Sequence, residues 1–180
     1  NNLELIKPLP HKELSPKVKE KDKRVIFFDV SEIYSRIKIN HYWRIQNVHI
    51  LDMFPYTQGV CGCGCGEALT GRKTRWASSD CMHFAVGVWG ILKGYSQTVE
   101  HYLRRYQDEK CAVCGKEDCS LQIDHIVPVK HGGGGCWLSN YQFLCHDCHV
   151  DKTNKDFGRG KYKPEKQVVN EVKLQLNLFP

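Results

Sequence analysis

The sequence predicts an α+β chain: a small core with a four-cysteine zinc knuckle over 107–160, preceded by a strand-rich segment and by a second cysteine-rich insert. Three observations carry this reading. Two Cys-x-x-Cys pairs, Cys111/Cys114 and Cys145/Cys148, bracket a short stretch holding a strand-like Leu121-Gln-Ile-Asp-His-Ile-Val-Pro. A run rich in β-branched and aromatic residues, Arg24-Val-Ile-Phe-Phe-Asp-Val, reads as a buried strand. Between them lies Cys61-Gly-Cys-Gly-Cys-Gly, with Cys81 following after a basic stretch.

The elements divide the chain into five segments. Residues 1–24 hold many Lys and Arg and three prolines, which is linker composition, so 1–23 is expected to be a disordered basic linker. Residues 24–60 form the strand-rich lead-in, in which Ser31 to Ile39 could make a short helix capped by Ser31. Residues 61–106 combine the Cys/Gly insert with a helical segment. Trp89, Leu92, Val99, Tyr102, Leu103 and Tyr106 there have helical spacing, with a break expected at Gly90 or Gly94. The core occupies 107–160. The tail, 161–180, is amphipathic from Val168 to Leu178.

Composition excludes some classes and leaves others open. No stretch approaches the roughly 20 apolar residues of a membrane span, so no membrane partner is expected. There is no secretory signal, and the absence of an initiator methionine reads as an excised fragment. Of ten cysteines, eight fall in tight arrangements or close a cluster with one, which favours metal in a reducing compartment over disulfides. A net charge of +6 fits a nucleic-acid partner without requiring one.

Four thiolates spaced as Cys111, Cys114, Cys145 and Cys148 suit a tetrahedral structural zinc. Cys119 and Cys136 stand outside this pattern and read as plain small residues. Asp124, His125, Asn140 and His149 lie between or beside the cysteines, and a structural zinc does not need them. The bland alternative is that they satisfy buried backbone or pad the zinc site. Taken in this order, with Gly132–Gly135 in the intervening loop, the pattern resembles the HNH (His-Me finger, ββα-metal) nucleases.

That resemblance implies a β-hairpin followed by a helix, one catalytic Mg²⁺ or Mn²⁺, and products with 5′-phosphate and 3′-hydroxyl ends. It implies His125 as general base, Asp124 and His149 as metal ligands, and Asn140 orienting the imidazole through its side-chain amide. The chemistry is compatible: a neutral imidazole titrates near neutral pH, and a carboxylate suits a hard cation. Lys152, on the same helix as His149, could contact phosphate.

The Cys61 cluster is similar to a zinc-binding insert that precedes this motif in some relatives, although Ala77 stands where another ligand would be expected. The ligands could be Cys61, Cys63, Cys65 and Cys81, or His83 could replace one of them. Arg72, Lys73, Arg75 and Trp76 could grip phosphates and stack on a base, or could form a solvated turn with Trp76 in the core. His41, His49 and His101 are expected to be packing or surface residues.

With the insert and the lead-in, the chain resembles the nuclease region of Swi/Snf-type annealing helicases that are also structure-specific endonucleases. This implies a nuclear DNA-repair protein acting on branched DNA at damaged or stalled replication forks. ATP would be used only by a motor outside this fragment. Contacts to a sliding clamp (PCNA) and to polyubiquitin chains would also lie mostly outside it. Two competing readings remain: a catalytically silent zinc module that docks DNA or a partner, and a sequence-specific homing or restriction nuclease.

Overall fold

A computed structural model describes residue 14 and residues 18–37 and 47–158. Most of the expected N-terminal linker, residues 38–46 of the lead-in and the tail 161–180 lie outside the described residues.

Helices dominate the first half. They are α1 (Glu20–Ile26), α2 (Ser31–Ile37), α3 (Ile50–Met53), α4 (Ser79–Leu92) and α5 (Ser96–Tyr106). The expectation of strands over 24–60 is corrected for its described residues: Arg24 to Ile26 end a helix, and only Val60 forms an isolated bridge, to Ala68. The linker boundary moves as well, because α1 begins at Glu20.

The physical reason lies in the spacing of what is buried. Asp22, Val25 and Ile26 are the buried residues of α1, a 3–4 interval that puts them on one helical face. Glu20 and Asp22 sit in the first turn and Lys23 and Arg24 in the last, the order that complements the helix dipole. Ser31 is the first residue of α2 and not its cap; the Asp29 carboxylate accepts from the Ser31 N–H at 2.9 Å.

The expected helical segment is two helices. α4 is capped by the Ser78 hydroxyl, which accepts from Cys81 N–H at 3.2 Å. It ends at Gly94, whose φ of +70° suits glycine. α5 packs close against α4 because α4 carries glycines at the contact. A methyl group at Gly87 would collide with the Tyr102 hydroxyl, and one at Gly90 would lie 2.8 Å from Thr98 Cγ2.

The second half is the expected ββα unit. β1 (Leu121–His125) pairs antiparallel with β2 (Tyr141–Cys145), Asp124 opposite Gln142 and His125 opposite Tyr141. α6 (His146–Asp156) follows β2 directly. Paired residues share a face and neighbours alternate, so Asp124 and Gln142 lie on one side of the hairpin and His125 and Tyr141 on the other.

One core joins the two halves. Val25, Ile26, Phe84, Val88 and Leu103 from the helices cluster with Trp137, Leu138, Tyr141 and Phe143. Trp137 is fully buried and its indole N–H donates to Ile26 O at 3.2 Å, so the loop before β2 is anchored on the end of α1. No helix among the described residues is long and apolar enough to cross a membrane.

Candidate active site and metal centres

Asp124 and His125 end β1, and alternation sends their side chains to opposite faces. On the α6 side, Asp124 Oδ2 accepts from Gln142 Nε2 at 3.1 Å and pairs with Lys152 Nζ at 3.0 Å. Its other oxygen, Oδ1, faces His149 Nε2 at 3.8 Å. Ligands sharing one divalent ion through bonds of about 2.1 Å sit roughly 3.0–3.5 Å apart, so a small inward shift lets this pair hold one. Asp124 therefore presents a free oxygen toward His149 while its second oxygen is held, a donor set that fits a small oxygen-seeking cation.

His125 stacks against Tyr141 with ring centroids 4.5 Å apart. Burial holds the His125 pKa below the usual histidine value; nearby Asp124 pulls it up and Lys152 pulls it down. The imidazole is thereby favoured in its neutral form, the form that can take a proton. Lys152 pairs with both Asp124 and Asp156. A phosphate would have to draw it from two carboxylates.

Asn140 is buried at the end of the loop that separates the strands. Its amide does not reach the His125 ring, which corrects the expected mode of orientation. Asn140 Oδ1 accepts from Val127 N–H at 2.8 Å, and Nδ2 donates to Val127 O and Gly133 O, each at 3.1 Å. Its backbone carbonyl accepts from Ile126 N–H at 2.8 Å. Asn140 thus fixes the two residues that follow His125. Gly133 is required at this contact, since a Cβ there would run into the Val127 carbonyl.

Below the hairpin, the sulfurs of Cys111, Cys114, Cys145 and Cys148 lie within 4.8 Å of one another, and those of Cys114 and Cys145 are 3.7 Å apart. A tetrahedral ion with Zn–S bonds of about 2.3 Å would place its sulfurs about 3.8 Å apart. The set is therefore shaped for one four-coordinate metal ion. Burial would raise the Cys111 pKa, but backbone N–H groups of Cys114, Cys145 and Val113 outweigh it and bring the thiol to about 6. Cys119 and Cys136 stay outside the set, as expected.

The second set comprises Cys61, Cys63, Cys65 and Cys81, again within 4.8 Å. His83 is not a member; it turns to Asp22, with Nε2 3.1 Å from Oδ1. Ala77, standing where a ligand was missing, contributes its N–H to Cys61 Sγ at 3.2 Å. That bond and those from Cys63 override burial and lower the Cys61 thiol to about 7. Arg24 adds a cation: its Nη2 donates to Cys63 Sγ at 3.3 Å while the guanidinium lies 3.9 Å from the Phe84 ring centre.

The basic-aromatic stretch after this cluster is largely occupied within the protein. Arg75 donates to the Phe54 carbonyl and Lys73 to the Ala77 carbonyl. Trp76 packs edge-on to Phe54, at 6.3 Å between centroids, and against Gly62. These three residues close the cysteine-bearing loop, so of the expected DNA contacts here only Arg72 keeps an exposed side chain with no such bond. Sequence reasoning missed Arg24 and Gln142. Gln142 could have been found by pairing the strands from His125 opposite Tyr141; nothing local pointed to Arg24.

Residues 111–155 match the family model described as HNH endonuclease. A stretch of 32 residues, 18% of this chain, is 56% identical to DNA annealing helicase and endonuclease ZRANB3 of Mus musculus, Bos taurus and Homo sapiens. The matched stretch covers only 3% of the length of those relatives. No solved structure matches. The family match is thus confined to residues 111–155, an HNH endonuclease domain that makes up part of this chain.

Proposed function

We propose that this chain is the catalytic part of a divalent-metal-dependent DNA endonuclease, with His125 as the general base. The observation that carries the reading is the split at the end of β1: Asp124 Oδ1 faces His149 Nε2 at 3.8 Å, while His125 occupies the opposite face. A bound Mg²⁺ or Mn²⁺ supplies positive charge at the scissile phosphate and at the leaving 3′ oxygen.

The protein's own groups do the rest. His125 takes the proton of the attacking water as the new P–O bond forms and the bond to the 3′ oxygen breaks; that oxygen takes a proton from solvent water, giving 5′-phosphate and 3′-hydroxyl ends. Asn140 holds the backbone on which that imidazole is mounted. Gln142 and Lys152 keep the Asp124 carboxylate turned toward His149. Each cysteine set holds a structural zinc, one beneath the hairpin and one at the start of α4.

Branched or fork-like DNA is the substrate class this reading favours, in a nuclear protein whose ATP-driven motor lies elsewhere in the parent. Its support is the short identity to relatives named as both annealing helicase and endonuclease. Clamp and polyubiquitin contacts belong to the same proposal and fall mostly outside this chain.

The test is cleavage of end-labelled fork, flap and plain duplex DNA with Mg²⁺ or Mn²⁺, comparing wild type with Asp124→Ala. Metal-dependent cutting that favours branched DNA and disappears in the variant is expected. Absence of cutting with either ion, both for this chain and for the full-length parent with ATP, would sink the enzymatic reading in favour of a docking module.

A further inference from the structure

Three donor atoms outside both cysteine sets and outside the nuclease cleft converge on one point. Asp22 Oδ1 lies 3.1 Å from His83 Nε2 and 3.5 Å from His101 Nε2, and all three lie within 4.8 Å of one another. They come from three helices: Asp22 from α1, His83 from α4 and His101 from α5.

These separations suit ligands that share an ion. Bonds of about 2.0–2.2 Å to nitrogen and oxygen put neighbouring ligands roughly 3.0–3.5 Å apart in octahedral or tetrahedral geometry. His83 Nε2 is 3.1 Å from Asp22 Oδ1 and also 3.1 Å from the Tyr102 hydroxyl. A protonated Nε2 can donate to both oxygens, and its lone pair can instead be directed at a cation shared with Asp22 and His101; in that state the Tyr102 oxygen lies beside the ion or its bound water.

The surroundings are arranged as an outer shell. Asp22 has only 3% of its side chain exposed, and a carboxylate buried this deeply needs charged or hydrogen-bonding partners. Arg105 Nε takes Oδ2 at 3.2 Å and so holds the carboxylate with Oδ1 toward the imidazoles. The histidines are 32% and 40% exposed, so an ion and its remaining water ligands have access from solvent.

We propose that Asp22, His83 and His101 form a third metal site, a two-histidine, one-carboxylate centre for Zn²⁺ that clasps α1 to the α4–α5 pair. Two imidazoles and one carboxylate suit a first-row divalent ion of zinc's softness better than Mg²⁺ or Ca²⁺. The site is independent of the nuclease reading and stands or falls separately from it.

The test is cadmium-113 NMR of the full chain loaded with excess Cd²⁺. Nitrogen and oxygen ligation gives resonances well upfield of the two thiolate sites; one that disappears in Asp124→Ala belongs to the Asp124–His149 pair, and a second is expected in wild type and lost in both Asp22→Asn and His101→Gln while the thiolate resonances remain. No upfield resonance in wild type besides the Asp124-dependent one, or none that both variants lose, would overturn the site. Should a variant fail to fold, ¹⁵N-histidine spectra of wild type decide: adding Zn²⁺ must shift Nε2 of both His83 and His101 to metal-bound positions, and unchanged nitrogens would overturn the proposal.

Discussion

Asn140 pairs with Val127 through both of the latter's backbone groups, accepting from its N–H at 2.8 Å and donating to its carbonyl at 3.1 Å. A single buried side chain thus acts as a short piece of partner strand for the loop that follows His125. Replacing it by alanine leaves those groups and the Gly133 carbonyl without partners. Each unpaired buried group costs about 1–3 kcal/mol, and partial relaxation of the loop brings the expected loss for Asn140→Ala to about 2–4 kcal/mol. Chemical denaturation reads this directly. Cleavage should fall along with stability, because the loop sets the position of the base.

Gly133→Ala tests the same contact from the other side. The added methyl meets the Val127 carbonyl and the Asn140 amide, so the loop must move away from β1. The expectation is strongly reduced cleavage with metal content unchanged, measured by nicking assay and metal analysis. A variant as active as wild type would show that the loop does not set the base.

How much of this was legible in the sequence differs sharply between the two halves. The ββα unit and the first four-cysteine set followed from local spacing, because strand, loop and ligands all lie within one short stretch. The first half was misread at Arg24 to Val30, where an apolar run fits a buried strand and a buried helix equally. What decides for helix is the burial of Asp22 beside Val25 and Ile26. The partners of Asp22 are His83, His101 and Arg105, 61 to 83 positions away. No local pattern announces them. Asn140 was found but given the wrong contact, since spacing places a residue near a base without saying which atoms it touches.

Arg24 faces a set of thiolates whose ligation of one divalent ion leaves net negative charge. Losing an outer-shell partner of this kind commonly weakens metal affinity about 10–100-fold. Arg24→Met, which keeps much of the contact with Phe84, is expected to weaken zinc retention at the Cys61 set about tenfold. Competition with a chromophoric chelator measures it. Release from the Cys111 set should be unchanged, and equal weakening at both would contradict a local role.

Metal removal should unfold the Cys111 loop and α6. Few apolar residues surround the Cys111 set: Leu144 is buried beside it and Leu121 partly so, while Tyr141 and Phe143 tie β2 to the main core. Apparent zinc-binding energies of about 10–16 kcal/mol in small thiolate sites are also folding energies. A strong chelator, or Cys114→Ser, is therefore expected to abolish cooperative thermal melting of this unit, followed by circular dichroism. A sharp transition retained after complete metal loss would count against a structural role.

The most direct test of the central claim is single-turnover cleavage of branched DNA by wild type beside His125→Ala, at saturating Mg²⁺ or Mn²⁺. The expected rate is at least about 10²-fold lower in the variant, with zinc content and DNA affinity nearly unchanged. Cleavage by His125→Ala at the wild-type rate would contradict it.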